Sequence, residues 1–315
     1  MKLMDAKVSR RPRFRRASEP PAFRLTDSDV EIVHLLARHR FLRSTHIAAL
    51  AGRSVDRVND RLLRLFHAGY VDRPRAQLDR YPDSGSAPMV YALANGGARL
   101  LAERHDPAVS GIEWSRKNES VGRPFIEHQL EIMDFYVALQ VATRGRKDLA
   151  LIHPHELVAA FPAPPATLRD PFALRVQLVD NGTPHTIGIV PDLAFGLRFP
   201  DGSRRCFLVE VDRGTMPIAR SDIRQTSFAR KMRAYLAAHA AQLHERQFGW
   251  KTFRVLTVTT ERSRLQSMMD ALRIIPAPAG PGAALFCFAL RDELHVSDPL
   301  RHAWRDGRNL SVYLL

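Results

Sequence analysis

The chain has 315 residues, of which 45% are hydrophobic, and its 47 Lys and Arg against 33 Asp and Glu give a formal net charge of +14. This composition predicts a folded cytoplasmic protein of two domains and excludes a membrane-spanning one, because no apolar stretch approaches the roughly 18 to 20 residues of a span. The positive charge favours a polyanionic partner, above all nucleic acid, although an arginine-rich composition that only keeps the protein soluble is the alternative.

The first 24 residues are basic and show no apolar periodicity. Segments of this composition do not bury enough apolar surface to fold by themselves. We therefore predict a disordered arm over residues 1–24 that lies along DNA phosphates and adds affinity without sequence preference. Its basic residues include Lys2, Lys7, Arg10, Arg11, Arg13, Arg15 and Arg16.

Residues 25–105 are predicted to form three helices followed by a hairpin. Thr26 is a candidate N-cap for the first helix, Ser44 begins the second, and Ser54 caps a third helix whose apolar residues repeat at three- and four-residue steps. Short strands follow around Val71 and Val90. This order predicts a winged helix-turn-helix whose third helix enters the major groove of double-stranded DNA. A winged helix that binds only protein is the alternative.

The predicted DNA contacts of this domain lie on or just before the third helix. Arginine and asparagine can hydrogen-bond to base edges and phosphates, whereas the alternative for each residue is a solvated helix face. The candidates are Arg53, Arg57, Asn59, Arg61 and Arg64.

A polar linker is predicted over residues 106–122, and residues 123–315 are predicted to form an α/β domain with a mixed central sheet. Its first helix starts near Pro124. Strands are predicted over residues 149–153, 174–179, 186–197, 206–212, 253–259 and 286–289, with a long helix over 222–244. The fold class is therefore α+β.

Three carboxylates lie at the ends of two of these strands. Asp192 follows Pro191 at the start of one apolar run, and Glu210 and Asp212 close the next. Because side chains alternate along a strand, Glu210 and Asp212 share a face, which Asp192 can join from the adjacent strand. Carboxylates crowded in this way need a cation or a basic neighbour. We predict Mg²⁺ or Mn²⁺ held by all three; strand-end caps or surface salt bridges are the alternative.

The order of these elements resembles the core of the PD-(D/E)XK nucleases. The longer string of Pro191-Asp192, residues 207–215, Lys231 and Tyr235 resembles the replication-relaxation family, whose relatives include relaxases that mobilise plasmids. The nuclease pattern places a lysine two residues after the glutamate, where this chain has Asp212. The resemblance implies that Lys231, on the following helix, replaces that lysine; a lysine on a solvated, arginine-rich helix face is the alternative.

The resemblance also implies roles for the other candidates. Glu127 and His128, on the first helix of the nuclease-like core, are expected to join Asp192, Glu210, Asp212 and Lys231 as catalytic residues. A buried, hydrogen-bonded histidine is the alternative for His128. Arg213, Arg224 and Arg230 are predicted to clamp DNA phosphates. Tyr235 is interpreted as a packed aromatic residue with its hydroxyl in water, a covalent nucleophile being the alternative.

The predicted function is metal-dependent nicking of DNA at a plasmid or mobile-element origin, during mobilisation or replication. A catalytically inactive DNA-binding accessory factor or repressor is the alternative, in which Asp212 marks lost activity. The expected partners are double-stranded DNA, single-stranded DNA at a nick, a second copy of the chain and other mobilisation proteins.

Overall fold

The chain divides into two units, residues 1–133 and 134–315. The structure is a computed structural model that describes residues 13–20, 22–77, 87–104, 111–165, 169–276, 280–295 and 297–315. The division falls inside one long helix, Arg123–Thr143. Helices and a mixed sheet confirm the predicted α+β class.

The first unit has helices around a small antiparallel sheet. Its helices are α1 (Asp27–His39), α2 (Ser44–Ala51), α3 (Val55–His67), α4 (Asn95–Glu103), α5 (Trp114–Glu119) and the start of α6 (Arg123–Thr143). Its strands are β1 (Phe41–Arg43), β2 (Val71–Asp72) and β3 (Val90–Leu93), in the order β1-β3-β2. Strand β1 was not predicted, and α5 lies in the segment predicted as a linker.

A buried ion pair joins α1 to α3. The Asp29 side chain is fully buried and accepts hydrogen bonds from the backbone N–H and hydroxyl of Thr26, each at 2.8 Å, and from Arg61 Nε at 2.8 Å. Burial acts to raise the pKa of Asp29, but the Arg61 and Thr26 hydrogen bonds outweigh it and hold the pKa below its usual value. Arg61 also donates to the Arg24 carbonyl oxygen at 3.1 Å.

The second half of the predicted arm is held against this unit. Arg16 donates from Nε to the Phe66 carbonyl oxygen at 2.8 Å and from Nη2 to Asp72 Oδ1 at 2.5 Å. The backbone N–H of Ala17 donates to His67 Nδ1 at 3.0 Å. Arg16 and Ala17, inside the arm predicted over residues 1–24, thus contact the end of α3 and strand β2, which composition could not show. Residues 1–12 and 21 lie outside the described residues.

The second unit is built on a seven-stranded mixed sheet and a two-stranded ribbon. Its strands are β4 (Ala150–Ile152), β5 (Leu174–Asp180), β6 (Thr183–Ile189), β7 (Leu193–Arg198), β8 (Arg204–Val211), β9 (Arg254–Thr259), β10 (Phe286–Leu290), β11 (Trp304–Asp306) and β12 (Ser311–Val312). The large sheet has the order β12-β11-β10-β9-β8-β7-β4, in which β8, β9 and β10 are parallel and the other pairs antiparallel. Its helices are the rest of α6, α7 (Pro154–Ala159), α8 (Phe228–Ala240), α9 (Leu243–Phe248), α10 (Arg262–Ile274) and α11 (Arg291–His295).

The single strand predicted over residues 186–197 is two strands in different sheets. Strand β6 pairs with β5 in the ribbon, whereas β7 pairs with β8 in the large sheet. The break falls at Val190-Pro191, where proline has no N–H to donate to a ladder. As a result Asp192 stands at the start of β7, and its backbone N–H donates to the Val209 carbonyl oxygen at 2.9 Å.

Helix α8 packs between the ribbon and the large sheet. The predicted helix over residues 222–244 begins only at Phe228, where the Ser227 side chain caps it by accepting from the Arg230 N–H at 3.2 Å. Buried Met232 and Leu236 share one apolar core with Leu208 of β8. This packing brings one face of α8 next to the end of β8.

Across the described residues, no helix combines the length and the apolar character that crossing a membrane requires.

We expect Arg61→Met to lower the free energy of unfolding by about 3 kcal/mol, because it leaves the buried Asp29 carboxylate without its cation. Arg57→Met on the exposed face of the same helix is the matched control. Urea unfolding of both variants checks this, and equal stability of the two would contradict a structural role for the ion pair.

Acid should destabilise the second unit through a stacked histidine pair. The rings of His239 and His244 lie 4.6 Å apart, and burial lowers the pKa of both, with their mutual repulsion adding at His239. The unfolded state then binds more protons below about pH 6.5, so stability present above that pH is lost as pH falls. The thermal midpoint should drop less between pH 7 and 5 in His239→Gln/His244→Gln than in the wild type. An equal drop would rule the pair out as its cause.

Candidate active site and nucleic-acid interface

Glu210 lies buried near the end of β8, and both of its carboxylate oxygens have partners. Lys231 Nζ donates to Oε2 at 2.5 Å, and the Tyr235 hydroxyl donates to Oε1 at 2.6 Å. Lys231 and Tyr235 are four residues apart on α8, so they lie on the same helix face. Only 2% of Glu210 is exposed, which makes this a buried ion pair completed by a neutral hydrogen bond.

Burial and charge act against each other in this cluster. Burial raises the pKa of Glu210 to about 7; Lys231 opposes the shift, and the negative charge of Asp192 adds to it. Burial acts to lower the pKa of Lys231, but the charges of Glu210, Asp192 and Asp212 outweigh it and raise the pKa. Lys231 is therefore cationic at neutral pH and is the positive charge to which the carboxylates respond.

The environment of the Tyr235 hydroxyl differs from the prediction. Its hydroxyl was expected in water, yet the residue is 1% exposed and hydrogen-bonded to Glu210. Burial, followed by the charge of Glu210, raises the pKa of Tyr235 well above its usual value. The hydroxyl is thus a buried donor that orients Glu210.

Asp192 connects the start of β7 to the end of β8. Its Oδ2 accepts the backbone N–H of Val211 at 2.8 Å. Strand pairing sets Leu193 opposite Val209, so Asp192 and Glu210 lie at neighbouring strand ends, as the alternation of the two strands indicates. The half-buried Asp192 interacts electrostatically with both Glu210 and Lys231.

Asp212 has a different set of partners from Glu210. Arg264 of α10 donates from Nε to Oδ2 at 2.5 Å and from Nη2 to Oδ1 at 2.7 Å, and the Thr259 hydroxyl donates to Oδ2 at 2.8 Å. Arg264 also donates to the Met216 carbonyl oxygen at 2.5 Å. Asp212 therefore ties the end of β8 to α10 and to the loop that follows. Arg264 was not among the predicted site residues, because it lies 52 residues away and belongs to no motif.

The ion pair of Asp212 with Arg264 reduces the set of carboxylates that could bind a metal ion. No group of three or more His, Cys, Asp or Glu side chains is placed to hold a metal ion in the part of the chain that the structure describes. With Asp212 held by Arg264, the oxygen donors beside Lys231 are Asp192 and Glu210. Magnesium is often bound by one or two carboxylates together with water and phosphate oxygens, and Asp192 and Glu210 are the two carboxylates that remain beside Lys231.

The remaining catalytic candidates, Glu127 and His128, lie on α6 among the residues of the first unit. Both are half-buried. Glu127 Oε1 accepts from Arg123 Nε at 2.5 Å, one turn earlier on the helix. This pair gives Glu127 a local partner within α6.

The three arginines predicted to clamp phosphates lie on or near the loop between β8 and α8. Arg213 is half-buried directly after Asp212. Arg224 has a side chain that is 78% exposed, and it pairs with Asp222 at 3.1 Å. Arg230 donates to the Arg224 carbonyl oxygen at 3.0 Å and to Thr226 Oγ1 at 2.7 Å, so it holds the loop in shape.

Of the five DNA-contact candidates of the first unit, one is bound to a buried carboxylate and four are exposed. Arg61 is engaged by Asp29, while the other four are exposed at or near the start of α3 or along its outer face. Arg53 reaches Glu31 at 3.5 Å. A groove of about 420 Å³ beside α3 is lined by Arg53, Arg57, Arg61 and Arg64, together with Thr26, Ser28, Ile32, Val58 and Asp60. The groove is therefore lined by four arginines and one aspartate, and two of the arginines, Arg61 and Arg53, already meet Asp29 and Glu31.

Comparison with known proteins adds one finding to this geometry. No curated protein and no solved structure matches the chain. A family model described as Replication-relaxation matches residues 33–252, which is more than half of the chain and includes Asp192, Glu210 and Lys231. The chain therefore belongs to the replication-relaxation family.

Proposed function

We propose that this protein is a metal-dependent DNA endonuclease that nicks DNA at a plasmid or mobile-element origin. Membership of the replication-relaxation family supports a role in replication or mobilisation. The nicking activity, the DNA partner and the cation are our own additions, supported by the site of the second unit and by the exposed arginines of α3. We also propose a cytoplasmic location, where plasmid DNA would be met.

The buried cluster of Glu210, Lys231 and Asp192 carries the proposal. Burying an ion pair costs several kcal/mol per ion before the pairing offsets it, so a strand end gains little stability from one. Charged groups held in this way, with perturbed pKa values, concentrate at functional sites. Here the two carboxylates lie at the start of β7 and near the end of the neighbouring β8, and Lys231 reaches them from the next helix.

Each residue has a defined task in this proposal. Asp192 and Glu210 supply the oxygen ligands for Mg²⁺ or Mn²⁺, which when bound would act as a Lewis acid and provide a nucleophilic water. Lys231 places its ammonium group where charge develops on the phosphate, the task that the resemblance gives to the motif lysine. Tyr235 holds the Glu210 carboxylate in orientation through its hydroxyl.

The first unit supplies DNA binding in this proposal. Three helices followed by the paired strands β2 and β3 support a winged helix, and α3 presents exposed Arg57 and Arg64. Such a helix can dock in the major groove with its arginines on bases and phosphates. A second copy of the chain on a symmetric site and other mobilisation proteins are further proposed partners.

A DNA-binding protein without catalysis is the second candidate. It is favoured by the state of Glu210, whose two oxygens are already satisfied by Lys231 and Tyr235 as in a structural ion pair. The salt bridge of Asp212 with Arg264, at the position of the motif lysine, points the same way.

The two candidates differ in the effect of Glu210→Gln. For an endonuclease, we expect conversion of supercoiled plasmid to open circles in Mn²⁺ to fall by about 100-fold or more, since changes to groups that only support metal ligands already cost 10- to 100-fold. DNA affinity should stay equal or rise, because a negative charge is removed. Glu245→Gln, on the exposed surface of α9, is the matched control. Plasmid that is retarded on a gel yet left intact by the wild type would support the inactive protein instead.

Arg57→Ala should weaken DNA binding and flatten its salt dependence. Loss of one phosphate contact reduces the slope of log K against log[salt] by about 0.9. Arg99→Ala, at an exposed position of α4, removes the same charge from the same unit and should leave the slope unchanged. Fluorescence anisotropy with a labelled duplex over a salt series measures both. Identical slopes for the two variants would remove α3 from the interface.

A further inference from the structure

The ribbon of β5 and β6 has an outer face that nothing in the described chain covers. Its inner residues pack into the core that includes α8; they are Leu174, Val176, Leu178, Ile187 and Ile189. The outer residues alternate with them and are exposed; they are Arg175, Gln177, Val179, Pro184, Thr186 and Gly188. The ribbon therefore has one face that stabilises the fold and one that is free to meet a partner.

The chemistry of this outer face suits a polyanion with hydrogen-bonding edges. It carries Arg175 and, among its described residues, no Asp or Glu. Gln177 Nε2 donates to Thr186 Oγ1 across the strands at 2.7 Å. The Gln177 amide keeps an oxygen acceptor and a second N–H for a ligand. Asp180, at the tip, is matched by Arg233 of α8 at 3.6 Å.

Gly188 gives an independent indication of a close partner. It lies opposite Arg175 in β6, and a Cβ added there would meet no atom within 4 Å. The fold therefore does not need glycine at this position, although glycine weakens a strand by roughly 0.5 to 1 kcal/mol relative to alanine. A glycine in a strand interior often marks a place where a ligand or another backbone comes close.

The ribbon is tied to the candidate site in two ways. Strand β6 runs into Asp192, so Gly188 lies no more than about 14 Å from that carboxylate-bearing residue along an extended chain. The inner face packs on α8, the helix that carries Lys231, and Arg233 of α8 donates to the Val179 carbonyl oxygen at 2.9 Å. The ribbon therefore adjoins the candidate site both along the chain and through α8.

We propose that the outer face of this ribbon binds duplex DNA next to the phosphate that is cleaved. The major groove of B-DNA, about 12 Å wide, admits a two-stranded ribbon. Arg175 then contacts a phosphate or guanine, Gln177 faces base edges, and Gly188 allows the DNA backbone to approach. This inference rests on the proposed DNA-cleaving function and adds a second DNA contact, in the unit that carries the carboxylates.

A larger side chain at Gly188 distinguishes an effect on DNA binding from an effect on folding, because the fold leaves space for it there. Gly188→Val should keep or raise the thermal midpoint, because valine favours a strand. It should nevertheless lower affinity for a labelled mixed-sequence duplex by about tenfold, the effect of losing one good contact. Arg175→Glu should lower affinity at least as much, whereas Arg204→Glu, the same charge change at the far end of β8, should have little effect.

Crosslinking identifies the occupant directly. A photoreactive amino acid in place of Gln177 in the full-length chain should crosslink to the duplex, and the same group in place of exposed Arg273 should not. Wild-type affinity of Gly188→Val, without a DNA crosslink from position 177, would overturn the ribbon proposal even if the wild type binds and nicks DNA. A crosslink between two copies of the chain would overturn it in favour of strand pairing. A wild type that neither binds nor nicks DNA would overturn the proposed function itself.

Discussion

A carboxylate removed from water must be matched by a cation or by donors, and the second unit is arranged around this requirement at Glu210. The residue ends a central strand, so backbone and neighbours exclude water from it. Helix α8 crosses beside it with Lys231 and Tyr235 on one face, and the break at Pro191 brings Asp192 to the next strand end. Helix α8 contacts the cluster through Lys231 and Tyr235, and the β5–β6 ribbon packs on α8.

Glu210 and Asp212 show how two carboxylates on one strand end can serve different purposes. Each has its own cation, Lys231 for one and Arg264 for the other. The Arg264 contact is bidentate and extends to the loop backbone at Met216, so it stabilises the loop that leads to α8. Lysine offers a single ammonium on a flexible stem, which moves between partners more readily than a guanidinium fork. The proposed chemistry is accordingly assigned to the Glu210 side.

The large positive charge of the chain is not one uniform DNA-binding surface. Arg16 and Arg61 are used inside the first unit, on carbonyl oxygens and on buried or half-buried carboxylates. Arg57 and Arg64 remain on the exposed face of α3. Net charge therefore indicates the class of partner, while the burial of the acidic partners decides which arginines are available to it.

The sequence by itself determined most of the helices and strands and which side chains meet at the ends of paired strands. Capping residues such as Thr26, apolar periodicity, and the run from Pro191 to Asp212 predicted the main helices, most of the strands and the neighbouring positions of Asp192 and Glu210, because these depend on residues close along the chain or on paired strands. Only the tertiary structure decided that Arg264 binds Asp212, that Tyr235 donates to Glu210, and that the chain changes sheets at Pro191. Partners brought together by packing across many residues leave no periodic pattern, so no local signal could identify them.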